Sequence, residues 1–297
     1  MGLTVHEIKF LLWARQGGVD FSSVMMLGRQ KLHLDPCAMR AALADFGISQ
    51  KQAEVDALFL EQNGYAESFF KLLGAKEICS TDASAYEQAT HVFDMNKAAG
   101  DDLKGKFSAV LDGGSLEHIF QFPTAIRNCM EMVKVNGHFI SFCPCNNYLG
   151  HGFYQFSPEL FFRILSAENG FKMEKMILFE SPTMARWYEV KDPEELGKRV
   201  ELRTWGQARL AIQARRVALK TIFETTPQQS DYSAAWQSTA GAGGMSGGTQ
   251  EFRLSASGRL GRRLLRPLKK FVWGLLESAK QRQNGRALKE IRVPESK

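Results

Sequence analysis

FSAVLDGGSLEHIF, residues 107–120, places a short apolar run directly before an acidic turn that contains two glycines. A run of this length, bounded by turn residues, is typical of a buried β-strand. Similar runs recur along the chain, and helix-forming stretches separate them. The other runs are Ser22–Leu27, Glu77–Ser80, His91–Phe93, His138–Cys143 and Lys172–Phe179. Strands spaced by helices predict an α/β fold with a doubly wound, mainly parallel sheet.

The remaining elements complete this prediction. Residues 36–73 and 122–134 have apolar residues at helical spacing, and Ser157-Pro158-Glu159 is typical of a helix start. Arg209–Val217 alternates apolar and polar residues, which favours a half-covered antiparallel strand at the edge of the sheet. We therefore expect a single domain over residues 1–225.

Composition excludes two classes of protein. The chain has 297 residues, 44% of them hydrophobic and 24% charged, which is the balance of a globular protein rather than a disordered one. No run approaches the ~18 uncharged apolar residues of a membrane-spanning helix. The N-terminus does not have the pattern of a signal peptide, and the five cysteines have no repeated metal-ligand spacing. We expect a cytoplasmic protein with reduced thiols and no metal site.

Acidic residues follow three successive strands of the predicted sheet. Asp82, Asp94 and Asp112 each come at or just after a strand end. Ligands of open α/β sheets bind beyond the carboxyl ends of the strands, where a carboxylate can accept hydrogen bonds from a ribose diol. The alternative is that each aspartate is a helix N-cap or a turn residue.

Five stretches carry a family resemblance: MLGRQ (26–30), DASAYE (82–87), FDMN (93–96), LDGGSLEHIF (111–120) and GHGFYQFSPELF (150–161). Together they resemble class I S-adenosylmethionine (SAM)-dependent methyltransferases, and more narrowly the bacterial methyltransferase-domain proteins of surface-polysaccharide clusters. The resemblance covers most of residues 20–220. It implies a Rossmann-like fold, SAM as the cofactor, and methyl transfer to a small-molecule or glycan acceptor.

The resemblance also implies roles by position. The first loop would hold the methionine part of SAM, the acid after the second strand the ribose, and the next loop the adenine. The turn at residue 112 would lie beside the reacting methyl group. In this chain the corresponding residues are Gly28, Arg29 and Gln30; Asp82 and Ala83; Asp94, Met95 and Asn96; and Asp112, Gly113 and Gly114. A single glycine replaces the family's glycine-rich loop. The alternative is therefore a catalytically inactive scaffold that docks glycan-assembly enzymes at the membrane.

The loops after the fourth and fifth strands hold the candidate chemistry. Methyl transfer to a hydroxyl needs a base, and His118 is our candidate, with Glu117 orienting it or binding the acceptor. Structural hydrogen bonding is the alternative for such a histidine. His151, Tyr154, Asn146 and Asn147 are candidates for acceptor binding, because aromatic faces and amides suit a carbohydrate. Phe153 and Phe156 are expected to pack in the core.

The C-terminal part differs from the rest. Residues 251–297 hold thirteen basic and four acidic residues, a net charge of +9, which leaves −3 for residues 1–250. Glycine- and serine-rich residues 226–258 predict a flexible linker. Residues 259–297 predict a basic helical tail, and the apolar stripe flanked by bases over 259–276 is typical of an interfacial helix. We expect docking to an anionic membrane surface or a membrane-bound partner at the inner face. Packing on the protein itself is the alternative, and nucleic acid is the least favoured partner.

Overall fold

The computed structural model describes residues 2–180, 186–196, 200, 204, 206–233 and 288–291. Its strands are β1 (Gly2–Leu3), β2 (Ser23–Leu27), β3 (Lys31–Leu32), β4 (Glu77–Asp82), β5 (His91–Val92), β6 (Phe107–Asp112), β7 (Val133–Asn146), β8 (Phe171–Glu180), β9 (Trp187–Val190), β10 (Ala208–Arg216) and β11 (Leu288–Ile291). Its α-helices are α1 (Val5–Gln16), α2 (Pro36–Asp45), α3 (Gln52–Leu60), α4 (Glu67–Leu72), α5 (Phe122–Met132), α6 (Pro158–Ile164) and α7 (Pro193–Leu196).

The large sheet has the strand order β11-β9-β8-β10-β7-β6-β2-β4-β5. Neighbouring strands from β5 to β7 pair in parallel, whereas β10 is antiparallel to both β7 and β8. The chain leaves β2 towards β4 and later returns on the other side of β2 as β6, which creates a switch point between β2 and β6. The predicted doubly wound, Rossmann-like α/β sheet is confirmed.

Strand β2 shows how the sheet is covered on both faces. Val24 and Met26 belong to a core cluster shared with α1, α2 and α4, whereas Met25 and Leu27 belong to a second cluster shared with α5 and α6. All four side chains are at most 1% exposed. Because side chains alternate along a strand, such a strand is apolar at every position, and each buried side chain stabilises the fold by about 1.5–3 kcal/mol.

The antiparallel edge is present, but a different segment forms it. At that edge β9 pairs antiparallel with β8, and β11 pairs antiparallel with β9. The prediction that Arg209–Val217 is the edge strand was wrong, because β10 lies inside the sheet. The alternation of polar residues along β10 suggested a face in contact with water. Gln213 is instead 1% exposed, and its side chain donates to the Glu174 carboxylate at 2.7 Å.

The C-terminal prediction is corrected at one place. Residues 288–291 are a strand and not part of a helical tail. Of the predicted linker, residues 226–233 are described, and the amide of Ser230 donates to Glu159 Oε1 at 2.7 Å. The rest of the linker and the predicted helix at 259–276 lie outside the described residues. Among the helices that are described, none has the length and hydropathy needed to cross a bilayer.

A buried carboxylate holds the chain at the switch point. Asp112 is fully buried, and its Oδ1 accepts hydrogen bonds from the amides of Gly114, Ser115 and Leu116 at 2.7–3.3 Å. Its Oδ2 accepts a hydrogen bond from Ser141 Oγ on β7 at 2.7 Å. Desolvation raises the pKa of Asp112, while these hydrogen bonds act in the opposite direction. The carboxylate therefore ties the turn after β6 to the neighbouring strand.

We predict that Asp112→Ala lowers the free energy of unfolding by about 3 kcal/mol or more. Each buried amide left without a partner costs about 1–3 kcal/mol, and three amides lose theirs. Asp112→Asn keeps an acceptor oxygen and should lose less. Urea denaturation measures both. Asp101→Ala, at an exposed acid, is the control and should stay within about 0.5 kcal/mol of the parent. A similarly small change in Asp112→Ala would contradict the prediction.

Candidate functional site

A cavity of about 340 Å³ opens at the carboxyl ends of β6 and β7. The turns after these strands supply most of its wall, and the N-terminal residues and the start of β10 close the rest. Because β10 runs antiparallel, its first residues lie at the same edge as the last residues of β7. The lining residues are Gly2, Thr4, His33, Gly113, Gly114, Glu117, His118, Pro144, Tyr148, His151 and Arg209.

Glu117 lies at the inner end of this cavity on a 3-10 turn, Leu116–His118. Its side chain is 1% exposed, and its Oε2 has no hydrogen-bond partner among the described residues. Desolvation is the main cause that raises the pKa of Glu117 to about 8, and the negative charge of Asp112 adds to it. A buried carboxylate in this state is stabilised either by a proton or by a nearby cation.

Two histidines meet at this carboxylate. His151 Nε2 lies 3.4 Å from Glu117 Oε1, and the His151 and His118 rings are in edge contact with centroids 4.8 Å apart. Partial desolvation of the largely exposed His118 ring lowers its pKa, and the neighbouring His151 lowers it further, which favours the neutral imidazole. Glu117, His118 and His151 are thus brought together. The ion-pair contact of the Glu117 side chain is with His151.

The loop that carries His151 is fastened to the residue below it. The amide of Phe153 donates to the Glu117 carbonyl at 2.7 Å, and the amide of His151 donates to Tyr148 at 3.0 Å. Gly152 has φ +70°, and a Cβ at this position would lie 2.7 Å from the Glu117 carbonyl oxygen. Only glycine allows this approach without strain. The site therefore depends on a glycine as well as on its polar side chains.

A buried ion pair borders the cavity, and the sequence analysis did not identify it. Arg209 Nη1 donates to Glu7 Oε1 at 2.7 Å, and Glu7 is fully buried on α1. Glu7 Oε2 also accepts a hydrogen bond from the amide of Thr4 at 2.8 Å. Thr4 and Glu7 form a capping box, a motif readable from the sequence. That motif gives no sign that the acid pairs with Arg209 on a distant strand.

The loop after β2 is filled by its own side chains. Gly28 has φ +65°, and Arg29 Nε donates to Glu67 Oε1 at 2.6 Å while its guanidinium lies over the Tyr65 ring. Gln30 is fully buried, and its Nε2 donates to the Leu27 carbonyl at 2.6 Å. A Cβ built on Gly113 would lie 2.3 Å from Gln30 Oε1, so the Gln30 side chain occupies the space beside that glycine.

The predicted ribose and adenine residues differ in how they are used. Asp82 is half-buried and accepts a hydrogen bond from the Ser84 amide at 3.2 Å, while Ala83 is exposed. Asp94 accepts from both the amide and the side chain of Asn96, at 3.0 and 2.8 Å. Met95 is 6% exposed and packs in the core. Any contribution of Met95 to a cofactor site is therefore limited to its backbone.

The predicted acceptor-binding residues are partly engaged within the protein. Asn146 and Asn147 donate to Thr204 Oγ1 and to the Gly206 carbonyl, at 2.9 and 2.7 Å, so their amides hold a neighbouring loop. Tyr154 Oη donates to the Phe120 carbonyl at 2.7 Å, and the Tyr154 ring packs against the core. These bonds leave His151 as the predicted acceptor residue that lines the cavity.

The two phenylalanines of this loop were both expected in the core, and one of them is not. Phe156 is 3% exposed, as expected, but Phe153 is 65% exposed and in edge contact with Phe120, which is 63% exposed. The two exposed rings belong to the loops that carry His118 and His151. Residues 153–156 are all aromatic or amide, so the sequence does not show which of these side chains is buried.

Comparison with known proteins gives distant similarities. No protein-family model matches the chain, and no curated protein sequence matches it. Solved structures that resemble it include a 1,6-didemethyltoxoflavin-N1-methyltransferase of Burkholderia thailandensis (12% identity, 72% of this chain and 78% of that chain, TM-score 0.39). Others are the N-methyltransferase NodS of Bradyrhizobium japonicum (13%, 71% and 86%, 0.37) and a branched-chain polyamine synthase of Thermus thermophilus (13%, 76% and 60%, 0.34). The fold assignment rests on the strand order, and the function on the site.

We predict that Gly152→Ala costs about 1–3 kcal/mol in the free energy of unfolding, because alanine is strained at φ +70° and its Cβ meets the Glu117 carbonyl. Gly150→Ala is the matched control, since a Cβ at Gly150 meets nothing within 4 Å. That variant should be unchanged or stabilised by up to about 1 kcal/mol. Thermal or urea unfolding separates the two, and equal stabilities would show that the loop does not require this glycine.

Proposed function

We propose that the protein is a SAM-dependent methyltransferase that methylates a hydroxyl of a sugar or glycan acceptor, with His118 as the group that removes the proton. The observation that carries the proposal is the cluster of Glu117, His118 and His151 around one cavity, beside the turn after β6. The sequence resemblance implies that the reacting methyl group lies beside this turn. A confirmed Rossmann-like sheet with its switch point at the same edge supports it.

Unpaired buried polar atoms support a polar cofactor at the ends of β2 and β4. Gln30 Oε1 and Thr81 Oγ1 are buried without hydrogen-bond partners among the described residues. A buried polar atom left unpaired costs about 1–3 kcal/mol, which a ligand donor or acceptor would offset. SAM supplies an electrophilic methyl group when bound. Gly28 to Gln30 would face its methionine part, and Asp82 its ribose hydroxyls.

The same loop also supports the competing function. Arg29 and Gln30 bond to protein groups and fill the space that glycines leave open in the family. A scaffold that has lost SAM binding, and that docks glycan-assembly enzymes, would keep the fold and need no open loop. Calorimetry with SAM and with S-adenosylhomocysteine distinguishes the two functions. Binding of neither compound by folded protein would favour the scaffold and overturn the enzyme.

Two exposed aromatic side chains close in sequence to the histidines support the acceptor part of the proposal. Phe120 follows His118 by two residues and Phe153 follows His151 by two, and the Tyr154 ring lies 6.4 Å from that of Phe153. Exposed aromatic faces can bury the C–H surface of a sugar, while the imidazole contacts its hydroxyls. The polysaccharide setting comes from the sequence resemblance.

We predict that Asp82→Ala and His118→Ala separate cofactor binding from turnover. Loss of the Asp82 carboxylate should weaken SAM binding about ten- to a hundred-fold, because a hydrogen bond to a charged group contributes about 1.5–3 kcal/mol. His118→Ala should leave SAM affinity unchanged and lower turnover by about 10²–10⁴. Calorimetry and a methyl-transfer assay measure the two effects. Unchanged turnover in His118→Ala would remove this residue from the mechanism.

We also propose that residues 259–276 dock the protein to an anionic membrane surface, or to a partner there, at the cytoplasmic face. A lipid-linked acceptor would be found at such a surface. The support is the sequence pattern alone, in which six bases flank an apolar stripe. Each base near an anionic leaflet contributes about 1 kcal/mol. The catalytic cluster lies outside this segment, so SAM binding should not need it.

We predict that replacing the six bases of this segment by glutamine abolishes sedimentation with anionic liposomes and leaves SAM binding unchanged. They are Arg259, Arg262, Arg263, Arg266, Lys269 and Lys270. Substitution is preferable to truncation, which would also remove β11. Replacing Lys280, Arg282 and Arg286 is the control for a general loss of charge. Liposome binding that survives the sixfold change would end the proposal.

A further inference from the structure

Three potential metal ligands converge in the cavity. One ligand atom from each of Glu117, His118 and His151 lies within 4.8 Å of the other two. Two imidazoles and one carboxylate are a ligand set that holds zinc and other first-row divalent ions in proteins. We propose that Glu117, His118 and His151 bind a divalent transition-metal ion, and zinc and cobalt are ions whose ligand preferences fit this set.

The distances are close to those of a bound site. Bond lengths of about 2.0–2.2 Å in a tetrahedron place neighbouring ligand atoms about 3.3–3.6 Å apart. Glu117 Oε1 and His151 Nε2 are already 3.4 Å apart. The remaining ligand atom, on His118, has to approach by up to about 1.5 Å. His118 is exposed, so a small rotation of its ring can supply this movement.

The Glu117 carboxylate is buried and only partly paired, which is a second indication of a bound ion. Its side chain is 99% buried, and its Oε2 meets no hydrogen-bond partner in the part of the chain that the structure describes. A carboxylate in a desolvated setting is costly unless a cation or a donor contacts it. Arg209, which lines the same cavity, is already engaged by Glu7 and by the Phe142 carbonyl. A metal ion bound at Oε1 would balance the charge of this carboxylate, and coordination through both oxygens would also engage Oε2.

Backbone hydrogen bonds hold two of the three ligand residues in fixed positions relative to each other. The Glu117 carbonyl accepts the amides of Phe153 and Tyr154, at 2.7 and 3.3 Å, so the loop with His151 is anchored on the residue that supplies the carboxylate. Gly152 makes this approach possible. A metal site needs such fixed geometry, since loosely held ligands lose affinity.

The site would keep open coordination positions. Three protein ligands leave at least one position of a tetrahedral ion for water or substrate, and the adjoining cavity of about 340 Å³ gives room for it. Two imidazoles favour zinc, cobalt or iron over magnesium and calcium, which prefer oxygen ligands. The ligand chemistry therefore predicts an ion with catalytic access rather than a closed structural site.

A metal ion at this site would change how the acceptor loses its proton. This consequence rests on the proposed function, whereas the metal site itself does not. An acceptor hydroxyl that coordinates a divalent ion loses its proton more readily, as bound water does. The O–H bond breaks, the proton passes to solvent, and the oxygen is left to attack the methyl carbon of SAM as the carbon–sulfur bond breaks. In the ion-bound protein His118 would then act as a ligand instead of removing the proton itself.

The test uses the full chain, freed of metal by a chelator and titrated with Co²⁺ and with Zn²⁺ in the absence of SAM and acceptor. We expect one ion per chain, with the visible absorption of four- or five-coordinate Co²⁺. His151→Ala and Glu117→Gln should each weaken binding by at least about 100-fold, because loss of outer contacts alone costs about 10–100-fold. His91→Ala, a histidine on the sheet-edge strand β5, should bind as the parent does.

Circular dichroism of each variant shows whether it is folded, and Glu117→Gln keeps the side-chain shape if His151→Ala does not fold. No binding of either ion to the folded parent would overturn the inference, as would equal Co²⁺ affinity in the parent and in Glu117→Gln. Neither result bears on SAM binding, which calorimetry reports separately. A failure of the metal site is therefore distinguishable from a failure of the proposed function.

Discussion

At the carboxyl end of β6, one buried carboxylate sets the path of the chain for the next six residues. Asp112 accepts three successive backbone amides and the Ser141 hydroxyl of β7, so the turn is bonded to itself and to the adjacent strand. Ser115 Oγ adds a bond to the Leu27 carbonyl of β2 at 2.6 Å. Three strands thus meet at one turn. These bonds fix the start of the 3-10 turn that carries Glu117 and His118, and the Phe153 amide holds the Glu117 carbonyl.

The buried Asp112 carboxylate also affects the charge state of the cavity. Glu117 lies five residues beyond Asp112, and both carboxylates are desolvated, while the negative charge of Asp112 makes ionisation of Glu117 still less favourable. Asp112 is satisfied by hydrogen bonds, whereas Glu117 has one oxygen without a partner among the described residues. The imbalance concentrates the need for a proton or cation at Glu117. Such an imbalance is typical of sites that act on ligands, since purely structural carboxylates are satisfied internally.

Local patterns predicted seven strands, which are β2, β4, β5, β6, β7, β8 and β10, and the helical stretches between them. They also predicted the loops that carry Glu117, His118 and His151. They could not predict what depends on strand order or on partners distant in sequence. Arg209 enters the site because β10 pairs with β7, and an alternating pattern does not show which strand it pairs with. Asp112 was predicted to face a cofactor, yet its carboxylate bonds to its own turn, and the same residue type serves either purpose. The short strand β11 was missed because its four residues follow a long basic segment with helical spacing.

Because β11 pairs with β9, the chain that leaves the described body at residue 233 rejoins it at residue 288. Both ends of the intervening segment are therefore attached to the described body, one through the Ser230 amide on Glu159 and the other through the pairing of β11 with β9. The entropic cost of joining two points of a chain grows slowly with the length between them, so a small number of strand contacts suffices. A single proteolytic cut between residues 233 and 288 would leave β11 on a separate fragment held by four residue pairs. Its loss would leave β9 as an unpaired edge, open to any other extended chain.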